Sequence, residues 1–170
     1  MRKRTIRKVW ICAPGVTPLE HAQYQASVLT AAEWVAQVQP VQVAIESLCQ
    51  GHWDAHKDWQ PLFMALNRIE SMLTLKRAAD NGLISEAQAA FVSALDRQKA
   101  TGATAFKPAE MAIIREIGAV YGDLLREITH KDFQAACRHT DANVQRIVRQ
   151  RGPNVAEKSG CLIERRAAHG

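Results

Sequence analysis

Long apolar runs are missing from this chain, and no stretch approaches the roughly 20 residues that a helix needs to cross a bilayer. A membrane-spanning role is therefore not expected. CxxC spacing is also missing. The four cysteines, Cys12, Cys49, Cys137 and Cys161, stand far apart, which argues against a zinc cage or a disulfide framework and fits reduced thiols in a cytoplasmic protein. No GxxxxGK[ST], GxGxxG or GxSxG pattern occurs, so nucleotide and hydrolase chemistry lack a motif, and the glycines are expected at helix ends. No segment alternates apolar and polar as a half-buried strand would. Between Val9 and Val16 an apolar stretch follows basic residues, but Pro14 and Gly15 interrupt it and no secretory signal is expected.

What is there begins with charge. The net charge is +5, from 22 Lys and Arg against 17 Asp and Glu. Arg2, Lys3, Arg4, Arg7 and Lys8 account for the whole surplus. The remainder is neutral, so the sequence reads as a balanced globular body with a basic N-terminal arm over residues 1–16. Such arms reach for phosphate, acidic protein or anionic lipid. At 170 residues the chain is long enough to bury one core.

Helix punctuation is dense. Thr17-Pro18-Leu19-Glu20 combines a capping hydroxyl, a proline at the first helical position and a glutamate at the third, and predicts a helix running to Val38. Pro40 is expected to interrupt it, leaving Val41 to Cys49 as a short second helix or a kinked continuation. Asp58 is the expected cap of a third helix, which keeps Pro61 in its first turn and ends at Asn81-Gly82. Ser85-Glu86-Ala87-Gln88 is read as the start of the fourth, ending near Gly102. Met111, Ile114, Ile117, Tyr121, Leu124 and Ile128 give the strongest 3.6-residue periodicity and a central fifth helix. Thr129 caps a sixth, which stops at Arg151-Gly152-Pro153. The expectation is an all-α, single-domain antiparallel bundle of five to six helices over residues 17–151, with a mobile tail over 152–170.

Candidate chemistry is thin. His52 and His56 are four apart, but Trp53 stands where the metalloprotease pattern requires glutamate, and a loop is expected there; no metal or cofactor is predicted. His130 and His139 lie beside Asp132 and Asp141, the minimum for acid/base work, yet structural duty suffices for each. Cys137 reads as a packed, inert thiol, and no catalytic residue is assigned. Trp34 and Trp59 fit apolar helical positions, whereas Trp10, beside Arg7 and Lys8, fits a binding anchor. The binding residues expected for nucleic acid or an acidic partner are Arg2, Lys3, Arg4, Arg7, Lys8 and Trp10. Arg138, Arg146 and Arg149 are candidates for a secondary basic face on the sixth helix, a stripe that Asp132 and Asp141 dilute.

Several pieces resemble a set of small all-helical proteins encoded by phages, prophages and mobile elements of proteobacteria. They are Met1-Arg2-Lys3-Arg4-Thr5 with Arg7-Lys8-Val9-Trp10, Thr17-Pro18-Leu19-Glu20-His21-Ala22, Asp58-Trp59 with Leu62, Ala65-Leu66-Asn67 and Glu70, Thr101-Gly102 and Pro108-Ala109-Glu110. Asn usually precedes the proline where Thr17 stands, and Ala13-Pro14-Gly15 departs from the usual spacing. The resemblance implies a mobile-element context; it implies no mechanism and carries over no catalytic residue. In that context a chain without a catalytic motif is expected to be a non-enzymatic accessory protein that inhibits or redirects a host protein or nucleoprotein, including a CRISPR-type defence complex. The alternative is a DNA- or RNA-binding regulator or architectural protein using the arm. A leftover apolar face would also let two copies pair as a homodimer.

Overall fold

Helix α3 (Ala55–Lys76) is the axis of the molecule, and α2 (Ala31–Cys49), α4 (Leu83–Thr101), α5 (Pro108–Glu127) and α6 (His130–Arg151) pack around it. A short α1 (Pro18–Ala26) lies on α6. This computed structural model describes residues 15–51, 55–78, 82–102 and 105–151, and among them the regular structure is an all-helical bundle. The N-terminal arm up to residue 14 and the tail from residue 152 lie outside the described residues.

The core follows the periodicity. Ile69, Leu62, Leu66 and Met72 of α3 meet Ile114, Ile117, Tyr121 and Leu125 of α5, all at most 2% exposed. Fully burying side chains of this size is worth about 1.5–3 kcal/mol each. Aromatics are scarce in the sequence but concentrated in space. Trp59, Phe63, Phe91 and Phe106 form one cluster, with ring centroids 5.3 Å apart for Trp59 and Phe91 and 4.5 Å for Phe63 and Phe91. It joins α3 to α4 and to the α4–α5 loop. Arg97 closes that loop by forking onto Glu110 and donating to the Ala105 carbonyl, and the guanidinium holds the Glu110 carboxyl below the usual carboxylate range.

Five boundaries differ from the sequence reading. The helix expected from Pro18 to Val38 is two helices, broken at Ser27 to Thr30, because Thr30 and Glu33 make a second capping box. Pro40 does not break α2, which continues to Cys49. Val38, Val41 and Ala44 are buried on both sides of the proline, and their packing outweighs one lost backbone bond. Helix α3 starts at Ala55, ahead of Asp58, so Pro61 sits inside it and His56 stands in its first turn, not in a loop. It also ends at Lys76, well before Asn81. Arg77 takes the left-handed conformation (φ 52°), with its N–H donating to Thr74 O and that of Ala78 to Leu73 O, the six-to-one closure usually made by glycine. Finally, α4 starts at Leu83 from Gly82 (φ 92°), and Ser85 donates its hydroxyl back to the Gly82 carbonyl. Gly102 ends it as expected.

Helix α2 approaches α5 at Gly118 and Gly122. A Cβ on Gly118 would come within 2.5 Å of Ile45 Cδ1, whereas one on Gly122 would meet the Trp34 ring at 3.5 Å. Across the same contact Trp34 Nε1 donates to the Gly122 carbonyl at 2.8 Å, and Arg126 lies over the indole.

Candidate functional site

The surface with the clearest chemical character is the outward face of α6. Its inward side is fixed by Phe133, Ala136, Cys137 and Thr140, half-buried or buried against α3 and the core. At about 100° per residue, Lys131, Arg138 and Arg149 then fall within about 20° of one another on the opposite side, and Arg146 lies about 80° from Arg138. All four are exposed, and among the described residues none has a carboxylate partner within ion-pair distance. At 1.5 Å rise per residue the row from Lys131 to Arg149 is about 27 Å long. Asp132 and Asp141 lie at about 120° and about 60° from Arg138, so Asp141 stands nearer to Arg138 around the helix than Arg146 does and interrupts the basic face there. Lys131 was missed in the sequence because it adjoins the cap. Its alignment with Arg138 and Arg149 emerges only when the helix start is known.

The two histidines on α6 face the other way. His130 is 3% exposed, and its partner is Glu33, not Asp132. Its Nε2 lies 3.0 Å from Glu33 Oε2 and its Nδ1 2.9 Å from the Ser27 carbonyl, with the Tyr24 ring 4.0 Å away. Ser27 and Thr129 close the same corner, through the Val28–Thr129 bridge and a bond from His130 N to Ser27 O. The Ser27 hydroxyl, 3.2 Å from Nδ1, donates to the Tyr24 carbonyl at 2.8 Å, so its proton is already engaged. The Thr30 hydroxyl and amide, reinforced by His130, pull the Glu33 carboxyl down to about 2. The arrangement is a clasp that ties α1 and the start of α2 to α6.

His139 serves a second seam. Its Nδ1 lies 3.1 Å from Ser71 Oγ and 3.2 Å from Asn143 Nδ2, while Ser71 and Thr140 share a hydroxyl bond of 2.8 Å. Asp141 is not its partner. Cys137 is half-buried, and burial pushes its thiol above the usual range, which disfavours the reactive thiolate. Arg68, which the sequence did not single out, donates to Gln37 Oε1 at 2.8 Å and Tyr121 Oη at 3.0 Å, with Phe133 5.7 Å away. It joins α2, α3, α5 and α6 through one side chain.

Arg2, Lys3, Arg4, Arg7, Lys8 and Trp10 lie outside the described residues, as do His52 and Trp53. Trp59 is in the core at 2% exposure. Among the described residues no three His, Cys, Asp or Glu side chains gather to hold a metal ion, and no helix is long and apolar enough to cross a membrane. Comparison of the chain with protein-family models, curated proteins and solved structures finds no match in any of the three.

Proposed function

We propose that this chain is a non-enzymatic accessory protein of a phage or mobile element. It acts in the bacterial cytoplasm by occupying a surface on a host protein or nucleoprotein, including a CRISPR-type defence complex. The observation that supports the reading is the set of exposed cations Lys131, Arg138, Arg146 and Arg149 on a helix whose first half, from Phe133 to Thr140, is packed against the core. Cations carried along one helix suit a polyanionic face, because the backbone that bears them is already ordered and only the side chains must be fixed when the partner arrives. The arm charges Arg2, Lys3, Arg4, Arg7 and Lys8 would add reach.

Direct binding to DNA or RNA is the second reading, favoured by the row's length of about 27 Å, enough to follow several successive phosphates. Two measurements separate the readings. Affinity for a generic duplex and a generic single-stranded RNA is measured at two salt concentrations, for the full chain and for Arg138→Ala/Arg146→Ala/Arg149→Ala. In parallel, tagged versions of both proteins are used to capture partners from host lysate treated with nuclease. A stoichiometric protein partner that the triple variant loses, with weak binding to free nucleic acid, is the expected result for the first reading. Tight, salt-steep binding to free nucleic acid with no captured protein would replace it with the second.

A further inference from the structure

The ring of His130 sets two nitrogens against two acceptors. Nε2 lies 3.0 Å from Glu33 Oε2, and Nδ1 lies 2.9 Å from the Ser27 carbonyl oxygen. A neutral imidazole carries one N–H and one lone pair, so it satisfies only one of these contacts, whereas the imidazolium carries two N–H groups and satisfies both. Neither acceptor can reverse its role. A carbonyl oxygen never donates, and Glu33 Oε2 already accepts the Thr30 amide at 2.8 Å and the Thr30 hydroxyl at 2.7 Å, which keeps the carboxylate ionised. The Ser27 hydroxyl comes within 3.2 Å of Nδ1, but it donates to the Tyr24 carbonyl. The ring is 3% exposed, so bulk water does not stand in for a missing partner. Of the titratable groups around it, Glu33 of α2 and the Tyr24 phenol of α1 face the ring. Lys131 and Asp132, its neighbours on α6, are exposed, His21 of α1 is half-buried, and Arg126 at the end of α5 pairs with Asp123. Among the described residues, no charged group of α3 lies within ion-pair distance of it.

We propose that the second proton on His130 is a latch: the imidazolium ties α1 and the start of α2 to α6, and loss of that proton releases α1. Deprotonation leaves a buried lone pair against either the Glu33 carboxylate or the Ser27 carbonyl, a mismatch that the corner relieves by moving apart. The rest of the structure decides which element gives. Helix α6 is packed against α3, and Thr30 and Glu33 form the capping box of α2, whereas α1 buries none of its nine residues. The docked corner holds a proton that the opened corner does not require. Docking is therefore favoured at low pH and weakens as pH rises through the range in which the imidazolium loses its proton. Histidine ordinarily changes charge near neutrality, where other side chains hold theirs. The Glu33 carboxyl, near 2, responds only at the acid end, so the two effects are separable.

NMR of the isotopically labelled full chain tests this between about pH 5.5 and 9. The imidazole nitrogen shifts of His130 distinguish the doubly protonated ring from either neutral tautomer, and the Cα shifts of α1 report its helix. The expected result is a doubly protonated ring while α1 is helical. As the ring loses its proton, the α1 shifts should move toward coil values with the same midpoint, while those of α3 and α5 stay in place. His130→Gln should leave the α1 shifts independent of pH across this range, whereas His21→Gln, which removes the other histidine of this region, should leave the midpoint unchanged. Ser27→Ala removes the hydroxyl that can turn to Nδ1, and should increase the fraction of α1 released at the alkaline end. A single neutral tautomer at the acid end with α1 helical, or α1 shifts that stay put as the ring loses its proton, would overturn the proposal.

Discussion

Gly118 and Gly122 sit on the same face of α5 against α2, and replacing each by alanine should have unequal effects. Alanine is favoured over glycine in a helix interior by about 0.8–1 kcal/mol, a gain common to both sites. At Gly122 the new methyl would lie 3.5 Å from Trp34 Cζ2 and 3.9 Å from Val38, ordinary contact distances, so nothing opposes the gain. Gly122→Ala should therefore stabilise by roughly 1 kcal/mol, raising Tm by about 2–4 °C for a chain of this length. At Gly118 the methyl would lie 2.5 Å from Ile45 Cδ1, inside any real contact. Ile45 Cδ1 is the far end of a half-buried side chain and must turn aside, at a cost of about 0.5–1.5 kcal/mol for leaving its rotamer, enough to cancel most or all of the helical gain. Removing the offending atom isolates the cause. Ile45→Val alone costs about 0.5–1.5 kcal/mol, but combined with Gly118→Ala it should recover about 1 kcal/mol of coupling energy. Urea denaturation of the four corners of this cycle, with equal m-values, measures it. If Gly118→Ala stabilises as much as Gly122→Ala, or the cycle shows no coupling, the close approach of α2 to α5 at Ile45 is wrong.

Acid should loosen the clasp first. The folded Glu33 carboxyl lies near 2 against an ordinary value of 4.5, so its contribution is complete above about pH 4.5 and is lost as pH falls toward 2; Glu33→Gln should flatten that part of a stability–pH curve. Thr30→Ala removes the hydroxyl that does most to hold Glu33 down, and should cost about 1 kcal/mol at neutral pH as a lost cap, read by thermal melting. Arg77→Gly relieves a left-handed residue that carries a Cβ. It should stabilise by about 0.5 kcal/mol after the extra freedom of glycine in the unfolded chain is offset, and a loss of stability would mean that the α3 terminus is not closed this way. Should the chain bind duplex DNA, Arg138→Ala and Arg149→Ala should each reduce the slope of log K against log salt by about 0.9, and unchanged slopes would remove α6 from the interface.

The sequence made the core of α5 legible because Met111, Ile114, Ile117 and Tyr121 carry a period that survives any choice of neighbours. It misplaced the end of α3 and the start of α4 because the chain used an arginine, Arg77, where glycine is the usual signal, and used Gly82 as a start where a serine stood nearby. Pro40 misled because a proline's cost is local, whereas the burial of Val38 and Val41 that outweighs it depends on α3 and α5. The basic face was half visible. Arg138, Arg146 and Arg149 could be picked out by composition, but Lys131 joins them only through helical phase. Nothing in the sequence paired His130 with Glu33, residues 97 apart, because their contact depends on how α1 folds back. Proximity in sequence pointed to Asp132 instead.

Helix α1 buries none of its nine residues and is held chiefly by the corner at His130. Nine residues are too few to stay helical in water without support, since isolated helices shorter than about 12 residues are marginal. Undocking and melting are therefore one event for α1, which can leave α6 only as coil and never as a rigid lever. Native-state hydrogen exchange should show this as α1 amides opening together, far below the cost of global unfolding, while those of α3 and α5 stay protected. Any partner that engages α1 thus acts on a folding equilibrium: by binding the helix it tightens the clasp, and by binding the unwound strand it frees the corner of α6.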